Sequence, residues 1–315
     1  MERRRLGDTG IEVSRLCLGT LTMGPLQAGI GVREGAGLIE AGWGLGVNFL
    51  DTAELYGTYP HIREALKVIP RDRLIISSRS YAYTYDGMRR SVEKALSELR
   101  TDYIDIFGMH EQVSRLTLQG HSAALEYLCH ARQAGTIRAV SVSTHTVEVV
   151  QAVQQMPEID VVHPLFNMAG IGIIDGGTRE MEEAIQGAYL AGKGIYTMKA
   201  LAGGHLFRQA ATALRWVHSK ESVHSIAVGV KTVAELDMDV LILSGEDVSS
   251  EAAATAAGEK RLHIEEWCAK CGSCVAACGH GALRMGEQGV IVDESRCVLC
   301  GYCGAHCPEF CIKVI

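Results

Sequence analysis

VNFLDTAELYG, residues 47–57, runs from an apolar stretch directly into an acid, small residues and a tyrosine. A strand of a parallel sheet reads this way, because both of its faces are covered and its polar residues gather where it opens into a loop. The same signature recurs along the chain. VSRLCL (13–18), RLIISS (73–78), YIDIFGMH (103–110), IRAVSVS (137–143), DVVHPLF (160–166), GIYTMK (194–199) and SIAVGV (225–230) supply seven more candidate strands. Between them lie stretches of helical period: GMRRSVEKALSEL (87–99), SAALEYLCHARQA (122–134), TVEVVQAVQQM (146–156) and TREMEEAIQGAYLAG (178–192). Gly135 and Pro157 follow the second and third of these as stop signals.

Eight strands, each followed by a helix or loop, imply parallel pairing through right-handed crossovers. Eight such units in about 230 residues match an α/β fold of the closed (β/α)8 TIM-barrel type. A doubly wound open sheet is the alternative, but no G-x-G-x-x-G turn accompanies any unit. The barrel is assigned to residues 1–244. GEDVSSEAAATAAGEKR (245–261) opens a segment, 245–263, that reads either as a spacer or as a helix packed on the barrel. Residues 264–315 form a separate small module.

The 315 residues carry a formal charge of −7, which offers nucleic acid no basic surface. No apolar run approaches the roughly 18 residues of a membrane span. MERRRLGDTG at the start has positive charge without the apolar stretch of a secretory signal. These features predict a cytoplasmic protein that acts on a small molecule, with neither nucleic acid nor membrane as partner.

Nine of the eleven cysteines fall between Cys268 and Cys311. CAKCGSCVAAC (268–278) and CVLCGYCGAHCP (297–308) repeat one C-x2-C-x2-C-x3-C spacing. Structural zinc uses two pairs separated by a longer spacer, so the doubled run points to iron–sulfur ligation. Three thiolates of one loop surround one cube, and the fourth cysteine reaches the other. Cys268, Cys271, Cys274 and Cys307 are thereby expected to hold one 4Fe–4S cluster, and Cys278, Cys297, Cys300 and Cys303 the second. Cys311 is surplus, either a buried thiol or a reserve ligand, while Cys17 and Cys129 read as core. Residues 264–315 resemble a bacterial two-cluster ferredoxin, a small α+β domain.

Polar residues at the C-terminal strand ends are where a barrel places its chemistry. RRLGDTGIEVSRLCLGT, NFLDTAELYG, LRTDYIDIFGMH, GTIRAVSVST and AVGVKTVAEL together resemble the aldo-keto reductase superfamily over roughly residues 3–243. The resemblance implies a catalytic tetrad on Asp51, Tyr56, Arg79 and His110, with Tyr56 as proton donor and arginine where the family has lysine. It also implies a nicotinamide site for NADP(H) or NAD(H). Ser143, Thr144 and His163 fall at the carboxamide positions, Tyr196 or a neighbour against the ring, and Gly229, Lys231 and Thr232 at the adenosine phosphate. Lys199 ends the seventh strand beside them. Tyr81, Tyr83 and Tyr85 read either as an aromatic pocket or as a packed hairpin.

Hydride chemistry moves electron pairs and each cube moves single electrons, so a flavin is a candidate mediator. Three readings follow. The first is an iron–sulfur-containing oxidoreductase acting on a carbonyl or alcohol, with electron transfer through its clusters from ferredoxin or another one-electron partner. The second is a plain NAD(P)H carbonyl reductase with structural clusters. The third is an electron-transfer subunit with a degenerate barrel site.

Overall fold

The computed structural model describes residues 1–256 and 258–315. The chain begins with a hairpin, β1 (Arg3–Arg5) and β2 (Glu12–Ser14), which the expected strand pattern did not contain. Eight parallel strands then close on themselves: β3 (Leu16–Gly19), β4 (Phe49–Asp51), β5 (Ile75–Ser80), β6 (Ile104–Met109), β7 (Ile137–Thr144), β8 (Val161–Pro164), β9 (Gly194–Met198) and β10 (Ser225–Gly229). Each predicted strand is one of these eight, and β10 pairs with β3 to seal the barrel. The open-sheet alternative is thereby excluded.

Burial explains the apolar character of these segments. β5 and β6 are buried at every position, because helices cover the outside and side chains fill the inside. The hairpin turn plugs the interior from the N-terminal strand ends: Leu6 and Ile11 pack with Cys17, Phe49, Ile106 and Tyr196. Asp8 N–H donates to the Gly192 carbonyl just ahead of β9. Asp105, fully buried on β6, pins the sheet by accepting from Arg71 (2.7 Å), Arg138 (2.6 Å) and the Ile76 amide (3.0 Å). An acid inside an apolar strand is stable there because all of its capacity is used.

Within 245–261 the helix Ser250–Ala256 packs on the barrel, with Ala253 and nearby Val248 buried; Ala257 of that segment lies outside the described residues. The C-terminal module follows. β11 (Leu262–Ile264) pairs antiparallel with β14 (Ile312–Val314), and β12 (Leu283–Gly286) pairs with β13 (Gly289–Val292). Its two cysteine runs repeat in backbone as well as in spacing. Lys270 and Leu299 have φ of 55° and 53°, Gly272 and Gly301 have φ of 78° and 83°, and each pair leads into a short helical turn. Left-handed backbone at matching places is what wraps each loop around a common centre.

The module sits on the C-terminal mouth of the barrel. His205 Nε2 bonds the Ile312 carbonyl (2.9 Å), and Arg208 donates to the Val298 carbonyl (2.9 Å). Gly204 and Gly304 make the fit: a Cβ on the first would strike the Val314 carbonyl, and on the second the His205 ring. Among the described residues no helix is long and apolar enough to cross a membrane.

Candidate active site

Asp51 ends β4 and Arg79 lies near the end of β5, so both reach the barrel mouth from neighbouring strands. Their side chains are 4% and 3% exposed as residues, which makes this a buried ion pair. Arg79 Nη1 donates to Asp51 Oδ1 (2.5 Å) and Nη2 to Oδ2 (3.0 Å). Nη2 also donates to Tyr56 Oη at 2.8 Å. A planar guanidinium can bridge carboxylate and phenol in this way, which accounts for arginine where the family's lysine was expected.

Two further groups complete the environment of Asp51, and neither was expected in that role. Tyr196 Oη donates to Oδ1 at 3.0 Å and also meets Ser77 Oγ at 2.8 Å. His163 stacks on Tyr196 with ring centroids 3.9 Å apart, and its Nε2 lies 3.7 Å from Oδ1. Burial works to raise the Asp51 carboxyl, yet Arg79, aided by His163 and Tyr196, outweighs it and holds the group below the ordinary carboxylate range. Burial pushes the Tyr56 phenol up; Arg79 pulls against that and Asp51 adds to it, leaving the phenol above 10. Tyr56 is therefore protonated at neutral pH, with its oxygen already accepting from Arg79.

His110 ends the next strand, edge-on to Tyr56 at 5.9 Å between centroids and stacked under Tyr81 at 4.2 Å. Burial, then the charge of Arg79, depresses its imidazole well below 6.5, so it is neutral. Tyr81 hydroxyl donates to Glu111 (2.5 Å). Of the three loop tyrosines only Tyr81 joins the site. Tyr83 is exposed beside His121, and Tyr85 packs on Tyr127 and His130.

A cleft with about 1300 Å³ of empty space, open to solvent, begins at Asp51, Tyr56, Arg79 and His163. It runs past Lys199 to Gly229, Lys231, Glu235 and Lys260. The positions carried over for a nicotinamide divide along it. His163 Nδ1 donates to the Tyr196 carbonyl (2.7 Å), which leaves Nε2 buried, unpartnered and in the cleft wall. Ser143 faces elsewhere: its Oγ accepts the Glu111 amide (2.8 Å). Thr144 Oγ1 is spent on the Gln112 carbonyl (2.7 Å). Tyr196 lies below the cleft floor, 1% exposed among the interior side chains, one layer deeper than Met198 on the same side of β9. Met198 and Lys199 reach the cleft instead.

At the far end Thr232 is the N-cap of the helix Val233–Leu243, accepting from the Glu235 amide (3.2 Å). Glu235 itself takes the Lys231 amide (2.5 Å) and the Lys260 ammonium (2.7 Å). Thr232 thus caps the helix through its oxygen, and an internal carboxylate takes the Lys231 amide and the Lys260 ammonium beside it. The residues present fit a nicotinamide at the Tyr56 end, where Nε2 of His163 is an open polar contact. The remainder of the cleft is mainly apolar, with Lys199, Lys231, Lys260 and Lys313 in its wall beside Glu235 and Asp239.

The cysteines gather around two other cavities. One is lined by Cys268, Cys271, Cys274 and Cys307, with Cys311 as a fifth. The other is lined by Cys278, Cys297, Cys300 and Cys303. Cys311 Sγ lies 3.3 Å from Cys307 Sγ, so it is a neighbour of this ring rather than a remote thiol. Among the described residues no three His, Cys, Asp or Glu side chains are drawn together as ligands of a single metal ion. Cys17 is buried within the barrel, and Cys129 is half-buried on its helix.

The model of the family described as "Aldo/keto reductase family" matches residues 15–212. The chain belongs to the aldo/keto reductase family. Aldo-keto reductase YhdN of Bacillus subtilis is 27% identical over 200 residues, 59% of this chain and 57% of that protein. L-galactose dehydrogenase of Arabidopsis thaliana is 23% identical over 222 residues, 66% of this chain and 68% of that one. A solved Pseudomonas aeruginosa aldo-keto reductase superposes with TM-score 0.67 at 28% identity, covering 77% of this chain and 94% of its own. The chain spans just over half the length of the first of these relatives. The family match stops well before Cys268, so the cysteine module lies outside it.

Proposed function

We propose that the barrel is an NAD(P)H-dependent carbonyl reductase in which Tyr56 is the acid. The observation that carries this reading is the hydrogen-bonded line from Asp51 through Arg79 to Tyr56 Oη, opening on a solvent-connected cleft that also reaches Lys199 and Lys231. A bound nicotinamide would supply the hydride. Tyr56 Oη would give its proton to the carbonyl oxygen, and Arg79 would stabilise the phenolate left behind. Asp51 keeps the guanidinium in register, while neutral His110 and His163 offer hydrogen bonds without adding charge. Lys199 and Lys231, both in the cleft wall, are cations available to the cofactor's phosphates. The catalytic set is Asp51, Tyr56, Arg79 and His110. Tyr56→Phe tests it: carbonyl-dependent oxidation of NADH and NADPH should fall roughly 10²–10⁴-fold, and undiminished turnover would remove Tyr56 as the acid.

A second reading concerns residues 264–315, and the two four-cysteine cavities favour it. We infer a ferredoxin-like unit holding two 4Fe–4S clusters, each cube bringing its own sulfide to one group of thiols. Ferredoxin or another one-electron carrier would be its partner, and a flavin the mediator if electrons are to reach the barrel. Anaerobic preparation with iron, sulfide and flavin analysis tests this; a protein free of inorganic sulfide would refute it.

A further inference from the structure

Two lysines from different parts of the chain meet at the middle of the cleft. Lys199 follows β9 of the barrel and Lys313 lies on β14 of the C-terminal module. Both line the same cleft as Tyr56 and Arg79. Phe310 joins them: Lys199 Nζ is 4.6 Å from its ring centroid and Lys313 Nζ 3.4 Å. Lys199 Nζ also meets His145 Nε2 at 2.8 Å, and Lys313 Nζ donates to the Phe310 carbonyl. Lys313 is 5% exposed.

Neither ammonium has a counter-ion within ion-pair distance among the described residues. The two carboxylates whose charge acts on Lys199 are Glu111 and Glu265, and Glu265 acts on Lys313 as well. Both are engaged elsewhere, Glu111 with Tyr81 (2.5 Å) and His145 Nδ1 (3.4 Å), Glu265 with His263 (3.2 Å). A buried or half-buried ammonium with no carboxylate partner is unfavourable, and burial lowers Lys199 to about 8. The backbone is also held against preference here: Lys199 and Phe310 have φ of 60° and 45°, in the left-handed region that side chains avoid. Such an arrangement persists where surrounding structure over-determines it. Arg79 offers no relief, since Asp51 already neutralises it.

We propose that Lys199 and Lys313 form a two-ammonium seat for an anionic group, phosphoryl or carboxylate, of the molecule that fills the cleft. The C-terminal module thereby completes the barrel's binding site rather than trailing from it. This rests on the carbonyl reductase reading only in placing a ligand in the cleft. The anion has two sources, the diphosphate of a dinucleotide or a carboxylate on the carbonyl substrate.

The test is calorimetric titration of the full-length, anaerobically prepared protein at neutral pH. The probes are inorganic pyrophosphate, NADH, uncharged reduced nicotinamide riboside, and glyoxylate beside neutral glycolaldehyde. Lys313→Met and Lys199→Met should weaken the anionic probes roughly ten- to hundredfold and leave the uncharged ones unchanged, as loss of one charge-assisted contact requires. Lys313→Arg, which keeps the charge, should hold them within a few-fold and controls for folding. Loss confined to pyrophosphate and NADH assigns the seat to the dinucleotide; loss confined to glyoxylate assigns it to the substrate. Anionic probes that bind Lys313→Met as tightly as the unchanged protein, or that do not bind the unchanged protein at all, overturn the proposal. Pyrophosphate or glyoxylate binding without any NAD(P)H oxidation would instead sink the reductase reading and leave the seat standing.

Discussion

Replacing Asp51 by Asn tests the electrostatics on which the site depends. The carboxylate takes two bonds from Arg79 and one from Tyr196, and both members of the ion pair are almost wholly buried. The amide would remove the charge and one acceptor, leaving an unneutralised guanidinium in the barrel mouth with only the amide oxygen and the Tyr56 hydroxyl to accept from it. Breaking a buried pair from one side costs about 3–5 kcal/mol, chiefly the uncompensated ion. Tyr196 contributes little to this loss because Ser77 still holds its hydroxyl. At an m-value of roughly 3 kcal/mol/M, the urea midpoint of the barrel should fall by about 1–1.7 M. The Asp51→Asn/Arg79→Met double variant removes the stranded charge as well, so it should recover about half of that loss. Equilibrium unfolding followed by far-UV circular dichroism reads both. A midpoint shift below about 0.3 M for Asp51→Asn, or a double variant whose loss equals the sum of the singles, would show that the pair does not hold the guanidinium in place.

Acid should act through His163. Burial lowers its imidazole to about 4, against an unfolded value near 6.5, so the folded chain binds fewer protons between those limits. Its contribution is present in full above pH 6.5 and is lost as pH falls towards 4, amounting to roughly 3 kcal/mol at 1.36 kcal/mol per pH unit. His163→Gln should flatten that part of the stability–pH profile, and an unchanged slope would refute the assignment. Docking of the module should depend on Gly204, whose φ of 88° and contact with the Val314 carbonyl exclude a side chain. Gly204→Ala should expose 245–261 to limited proteolysis at a rate at least tenfold higher; an unchanged cleavage rate would mean that the module does not depend on that contact.

The barrel was legible because parallel strands covered on both faces must be apolar throughout, and eight such segments with helical intervals have few ways to bury themselves. Asp51, Tyr56, Arg79 and His110 were legible too, since they sit at strand ends in contiguous motifs that resemble a known family. The cysteine spacing led to the same two groups of four that surround the two cavities, because loop length limits which thiols can share a centre. Tyr196 lies one layer below Met198 on the same side of β9, so depth in the barrel, which position in a motif does not report, decides which of them reaches the cleft. What only tertiary structure decided lies between distant segments. Tyr196 reaches Asp51 across 145 residues, and Lys313 comes to the cleft with Lys199 through the docking of a module that sequence alone shows only as following the barrel. Local pattern encodes burial and turn geometry, whereas the meeting of two buried charges depends on how finished surfaces pack.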